Sequence, residues 1–165
     1  MSTTEPLARA VLDACTQRGI MLATAESCTG GMIAAALTDI AGSSAVVDRG
    51  FVTYSNAAKM EMLGVSVVTL DVYGAVSAET ALEMAVGAIA SSRAGIALSV
   101  TGIAGPDGGS ADKPVGLVWF GLAMKGAEPR TAQRTFENRG RDFIRRESVR
   151  TALEMALKAL QKAPR

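Results

Sequence analysis

Residues 25–31 read A-E-S-C-T-G-G, and the reading of this stretch decides the fold. A β-rich run over 20–24 ends in it, and a helical pattern begins near Gly30. The change of period leaves Ser27, Cys28 and Thr29 in a turn. The N–H groups that follow have no helical partner. A helix start of this kind offers donors and a positive dipole end to an anion or a developing oxyanion. Ser27 therefore lies where a nucleophile would be useful. The same pattern also describes an ordinary strand–turn–helix with a Ser/Thr cap and tight-turn glycines.

Outward from this turn, apolar and helical patterns alternate. Leu7, Val11, Ala14 and Cys15 share one helical face, with Thr4 as N-cap and Gly19 as stop. The run over 20–25 is almost wholly apolar, as in a strand covered on both faces. The helix after Ser27 turns Ile33, Ala36, Leu37 and Ile40 inward. A strand over 46–54 leads through Ser55 and Asn56 into a short helix closed by Gly64. Residues 65–76 read as a short strand or an irregular connection. Ser77 caps a long helix with Leu82, Ala85, Val86 and Ile89 on its buried face. A short strand over 96–100 runs into T-G-I-A-G-P-D-G-G at 101–109. The runs 115–124 and 131–136 form a hairpin, so the sheet is mixed. A last helix over 141–160 buries Val149, Leu153, Ala156, Leu157 and Leu160. No repeat or linker interrupts the chain, which reads as one α/β domain over residues 1–165.

Composition narrows the function. A net charge of +1 and an aromatic content of 4% give no basis for a general nucleic-acid binder. No apolar run reaches the length of a membrane span, and residues 1–5 lack the basic and apolar regions of a signal peptide. The two cysteines, Cys15 and Cys28, form no disulfide framework, which makes a reducing cytoplasm the expected location. There is no histidine at all. That excludes Ser–His–Asp and Cys–His mechanisms and any histidine-based metal site.

Another group must then move protons, and Lys59 is the candidate. It falls at the start of the short helix after Tyr54, where the dipole opposes a cation and burial would lower its pKa further. A neutral lysine is a competent general base, and Ser27 with Lys59 is the nucleophile–base pair a histidine-free chain allows. A solvated surface lysine is the commoner fate of that residue type. Cys28 is a rival nucleophile, because a helix N-terminus lowers a thiol pKa. Adjacent turn residues point in different directions, so one of the two faces the cleft, and Ser27 is preferred. Glycine-bearing turns at 25–31, 101–109 and 139–142 follow strands, and loops at the carboxyl ends of parallel strands can share one cleft. No G-x-G-x-x-G or Walker A sequence is present, so a dinucleotide or nucleoside-triphosphate site has no motif support. In N-R-G-R-D-F-I-R-R at 138–146, arginines surround a helix start. Either a bound anion or pairing with Asp142 and Glu147 accounts for them.

Five segments taken together resemble the CinA C-terminal domain family, of the nicotinamide-nucleotide amidohydrolase type. They are A-E-S-C-T-G-G (25–31), G-F-V-T-Y-S-N-A-A-K (50–59), G-A-V-S (74–77), T-G-I-A-G-P-D-G-G (101–109) and K-P-V-G-L-V-W-F (113–120). The resemblance implies a three-layer α/β/α fold, frequent homo-oligomers, and no cofactor or metal. It implies hydrolysis of the carboxamide of nicotinamide mononucleotide (NMN) to nicotinic acid mononucleotide and ammonia. By the same resemblance Ser27 is the nucleophile, Lys59 the general base and Tyr54 a further catalytic residue. Thr29, Gly30 and Gly31 would supply oxyanion N–H groups. Thr101, Gly102 and Gly105 belong to the second active-site loop, and Arg141 to the nucleotide phosphate. Whether Cys28, Asp107 or Asp112 touches substrate stays open. Two other readings compete: a non-catalytic nucleotide-binding or regulatory module of the competence/damage-inducible type, and a serine–lysine hydrolase of another amide or ester.

Overall fold

The central strands alternate large and small side chains, and that alternation sets the layers. In a computed structural model describing residues 4–162, β1 (Leu22–Glu26) and β3 (Ile96–Gly102) turn Leu22, Ile96, Leu98 and Val100 to one face. Ala23, Ala25 and Ala97 turn to the other. The large-residue face packs under α1 (Glu5–Arg18), α2 (Met32–Thr38) and α6 (Arg141–Lys162). The small-residue face receives α3 (Asn56–Leu63), α4 (Val67–Tyr73) and α5 (Ala78–Ala90). With β2 (Val47–Val52), β4 (Leu117–Met124) and β5 (Arg130–Thr135), the result is a three-layer α/β/α fold around one mixed sheet. Strand order is β2-β1-β3-β4-β5. The pairs β1–β2 and β1–β3 are parallel, and β3–β4 and β4–β5 antiparallel. Residues 1–3, part of the region read as lacking a signal peptide, lie outside the described residues.

Helix α5 corrects the expected face. Thr80, Ala81, Met84, Ala85, Gly87 and Ala88 are buried, while Val86 is 44% exposed. Close approach decides this. A Cβ on Gly87 would stand 2.0 Å from the Leu63 carbonyl oxygen, and one on Gly121 of β4 would stand 2.3 Å from the Ala81 oxygen. Only the Ala/Gly side of α5 fits there, and Ser99 Oγ seals the contact by donating to the Ala81 oxygen at 2.5 Å.

The stretch 65–76 is also corrected: Val67–Tyr73 within it form helix α4, rather than a strand or an irregular connection. Ser66 caps it by accepting from the Val68 N–H, and Glu83 of α5 accepts from the Ser66 N–H and the Thr69 hydroxyl. Val67, Val68, Val72 and Tyr73 are left facing solvent. Among the described residues, no helix is long and apolar enough to cross a membrane.

Candidate active site

The parallel strands deliver the site. At the carboxyl end of β1, Ser27 N–H continues the ladder by donating to the Val100 oxygen at 2.9 Å. β2 ends beside it and leads through Tyr54 to Ser55, whose hydroxyl caps α3 by accepting from the Ala58 N–H. Lys59 is thereby carried back over the end of the sheet and is only 1% exposed. Its Nζ stands 3.0 Å from Ser27 Oγ, 2.8 Å from the Thr53 oxygen and 3.3 Å from the Tyr54 oxygen. Among the described residues, Lys59 forms no ion pair. Burial pushes its pKa below the ordinary lysine value.

The three acceptors around Nζ are unequal. Carbonyl oxygens only accept, so a neutral amine spends both of its N–H bonds on Thr53 and Tyr54. Its lone pair then meets the Ser27 hydroxyl. This is the arrangement a general base needs, with heavy atoms at hydrogen-bond distance from the proton to be taken.

Cys28 turns away from this pair. Its side chain joins the core under α1, α2 and α6, and burial pushes the thiol up to about 12. A thiol held neutral in that way is a poor nucleophile.

A cleft of about 220 Å³ opens over Ser27 and Lys59, lined also by Tyr54, Ala75, Thr101 and Arg141. Gly102, Val76 and Ala104 complete the wall, together with Cys28. Thr101 Oγ1 donates to the Ala75 oxygen at 2.7 Å, joining the 101–109 loop to the G-A-V-S turn. Arg141 closes the outer rim. Its guanidinium donates to the Gly105 oxygen at 2.7 Å and to the Tyr54 hydroxyl at 2.9 Å. Gly105 stands behind the wall and orients Arg141 through its carbonyl.

Thr29, Gly30 and Gly31 do not line the cleft. The first turn of α2 is occupied from within the protein by Glu26, which is 1% exposed. Its carboxylate accepts from Thr29 Oγ1 at 2.6 Å, Ile33 N–H at 2.8 Å and Ala34 N–H at 3.1 Å. The helix end that the sequence offered to an outside anion thus already holds the chain's own. Gly30 N–H is also used, donating to the Ser27 oxygen at 3.0 Å. The N–H groups of Cys28 and Thr29 donate to no other residue among the described ones. Glu26 was missed in the sequence, although an acid just ahead of a helix start is the available signal.

The arginine run resolves one residue at a time. Arg146 pairs with Asp142 and Arg139 lies over the Phe143 ring, while Glu147 pairs with Arg150, beyond the run, which also meets Glu154. A larger groove of about 750 Å³ between α1, α2 and α6 is lined by Met32, Ile40, Phe143 and Val149 and by several of these paired charges. It lies away from Ser27 and Lys59. Among the described residues, no cluster of three or more His, Cys, Asp or Glu side chains could hold a metal ion.

Comparison with known proteins agrees over most of the chain. The model of the CinA C-terminal domain matches residues 4–160. A protein of Enterobacter agglomerans named nicotinamide-nucleotide amidohydrolase PncC is 56% identical over 141 residues, covering 86% of this chain and 85% of its own. Its namesake in Escherichia coli K12 is 53% identical over 137 residues, covering 83% and 82%. The crystal structure of the competence/damage inducible protein CihA from Agrobacterium tumefaciens superposes with a TM-score of 0.92 at 57% identity. That match covers 96% of this chain and 95% of the other.

Proposed function

The chain belongs to the CinA C-terminal domain family, and from that premise we propose that it is a nicotinamide-nucleotide amidase. It hydrolyses the carboxamide of NMN to nicotinic acid mononucleotide and ammonia by a serine–lysine mechanism. The observation that carries the mechanism is the buried contact of 3.0 Å between Lys59 Nζ and Ser27 Oγ.

Lys59 takes the hydroxyl proton as Ser27 Oγ bonds to the amide carbon, giving a tetrahedral intermediate. The N–H group of Cys28, which lines the cleft, receives the oxyanion, in place of the Thr29–Gly31 set. One such donor is worth about 3 kcal/mol of barrier. Lys59 passes the proton to the leaving nitrogen as the C–N bond breaks and ammonia departs. Water then attacks the acyl-enzyme, giving up its proton to Lys59, and Ser27 is released with its hydroxyl restored.

A cleft of about 220 Å³ is smaller than the roughly 300 Å³ at the low end of whole-ligand pockets. It takes the pyridine carboxamide and leaves the ribose phosphate at the open rim. Arg141 holds the phosphate there with the donors left over from Gly105 and Tyr54, and Tyr54 orients the nucleotide rather than moving a proton. Residues 1–165 act as one domain without cofactor, and copies of the chain assemble into a homo-oligomer. The exposed row of Val67, Val68, Val72 and Tyr73 on α4 supports assembly, because contiguous apolar surface marks contact sites.

Kinetics on two substrates test the assignment of the rim. Arg141→Ala raises KM for NMN about tenfold or more and leaves kcat within a few-fold, while nicotinamide riboside is hydrolysed equally well by both proteins. Equal losses on the two substrates would remove Arg141 from the phosphate.

A further inference from the structure

Arg145, on α6, neither pairs with a carboxylate among the described residues nor lines the cleft. It is half-buried and spends its charge on the main chain of the Ser27 turn. Nε donates to the Cys28 oxygen at 3.0 Å, and Nη2 lies 3.3 Å from the Thr29 oxygen. The turn accommodates it at Gly30, which has φ of 57° and whose added Cβ would lie 3.5 Å from Arg145 Nη2.

We propose that Arg145 is a positioning residue for the amidase reaction, holding and polarising the peptide groups that follow Ser27. The Thr29 carbonyl shares its peptide unit with the Gly30 N–H, which donates to the Ser27 oxygen at 3.0 Å, and the Ser27 carbonyl shares its own unit with the Cys28 N–H. A cationic donor on the Thr29 oxygen draws electron density along this chain and strengthens the Cys28 N–H as a donor, by the cooperativity of linked hydrogen bonds. The Cys28 N–H has no acceptor in another residue among the described ones, and Cys28 lines the cleft, so the gain is delivered where negative charge develops in the reaction. Glu26 also fixes the turn, through Thr29 Oγ1. The guanidinium fork matters as well as its charge, since it spans two consecutive carbonyls and an ammonium would meet one.

The inference rests on the serine–lysine reading, and two assays separate their failures. The first is NMN turnover by wild type, Arg145→Ala and Arg145→Lys, with melting temperature recorded for each. Arg145→Ala lowers kcat about tenfold, short of the 10²–10³ lost with an oxyanion donor itself. KM stays within about twofold, and the pH midpoint of the rising limb does not move. Millimolar guanidinium restores turnover saturably, and potassium at equal ionic strength does not; Arg145→Lys falls between the two. The second is the labelling rate of Ser27 by a small fluorophosphonate, in which the Oγ–P bond forms and fluoride leaves. It needs the same donor but no nucleotide. It slows about tenfold in Arg145→Ala, even if wild type fails on NMN and the substrate assignment falls. Wild-type kcat or wild-type labelling in a folded Arg145→Ala would overturn the proposal. So would a KM effect alone, or a shifted pH midpoint, which would place the action on Lys59. If Arg145→Ala does not fold, Arg145→Lys carries the test: wild-type kcat and labelling there would overturn it.

Discussion

At the scale of single residues, the account turns on a lysine kept out of water. Lys59 in the unfolded chain titrates near the ordinary value of about 10.4, and burial lowers it in the folded chain. Between the two values the unfolded chain holds the extra proton, so this residue's contribution to stability rises with pH across that window and is level below it. On the proposed mechanism the base works neutral, so kcat/KM rises with pH to a midpoint below about 10.4. Lys59→Met removes that limb and lowers turnover by about 10²–10⁴; a pH–rate profile of the two proteins checks both. A limb that survives in Lys59→Met would belong to another group. Ser27 and Lys59 were legible as a candidate pair because a histidine-free chain leaves few proton carriers. Their separation of 3.0 Å was not, because 32 residues of chain, β2 included, must fold to bring them together. Glu26 was illegible for a different reason. An acid ahead of a helix can cap it or point to solvent, and only the burial of its carboxylate over α2 decides.

At the scale of elements, small residues govern. Local propensity favours Ala over Gly within a helix by about 1 kcal/mol, so Gly87→Ala would stabilise α5 in isolation. In the protein the new Cβ meets the Leu63 carbonyl oxygen at 2.0 Å. Main-chain atoms there yield little, and overpacking costs about 1–3 kcal/mol. Gly87→Ala therefore lowers the denaturation midpoint, as urea unfolding followed by circular dichroism will show; a raised midpoint would refute the close contact of α3 and α5. This contact also explains why the sequence misassigned α5. Hydrophobicity favours Val86 inside, but the close approaches at Gly87 and Gly121 leave room only for the small-residue side of α5, with Met84 and Ala88 packing over Ala23, Ala25 and Ala97. In α4, the β-branched Val67, Val68 and Val72 favour strand locally. The Ser66 cap and the Glu83 carboxylate override that preference. The caps of α3 and α5 and the β4–β5 hairpin were legible, because Ser55, Ser77 and the turn after Met124 act through near neighbours.

At the scale of the whole molecule, the parallel order β2-β1-β3 gathers three chain segments at one sheet end. They are the Ser27 turn, the Tyr54–Lys59 segment and the loop after Thr101. The larger groove between α1, α2 and α6 shows that chemistry rather than volume identifies the site. Its lining carries paired charges and apolar groups, whereas the smaller cleft holds a hydroxyl against a buried amine. That loops at strand ends share a cleft follows from sheet topology and was legible. Which backbone donors remain free was not, because it depends on how Glu26 and Gly30 use the first turn of α2. The most direct test of the account is ammonia release from NMN by the purified protein, with wild type and Ser27→Ala assayed side by side. The account predicts stoichiometric ammonia and nicotinic acid mononucleotide from wild type and none above background from the folded variant. Release by Ser27→Ala at the wild-type rate, or NMN binding by wild type without release, would contradict it.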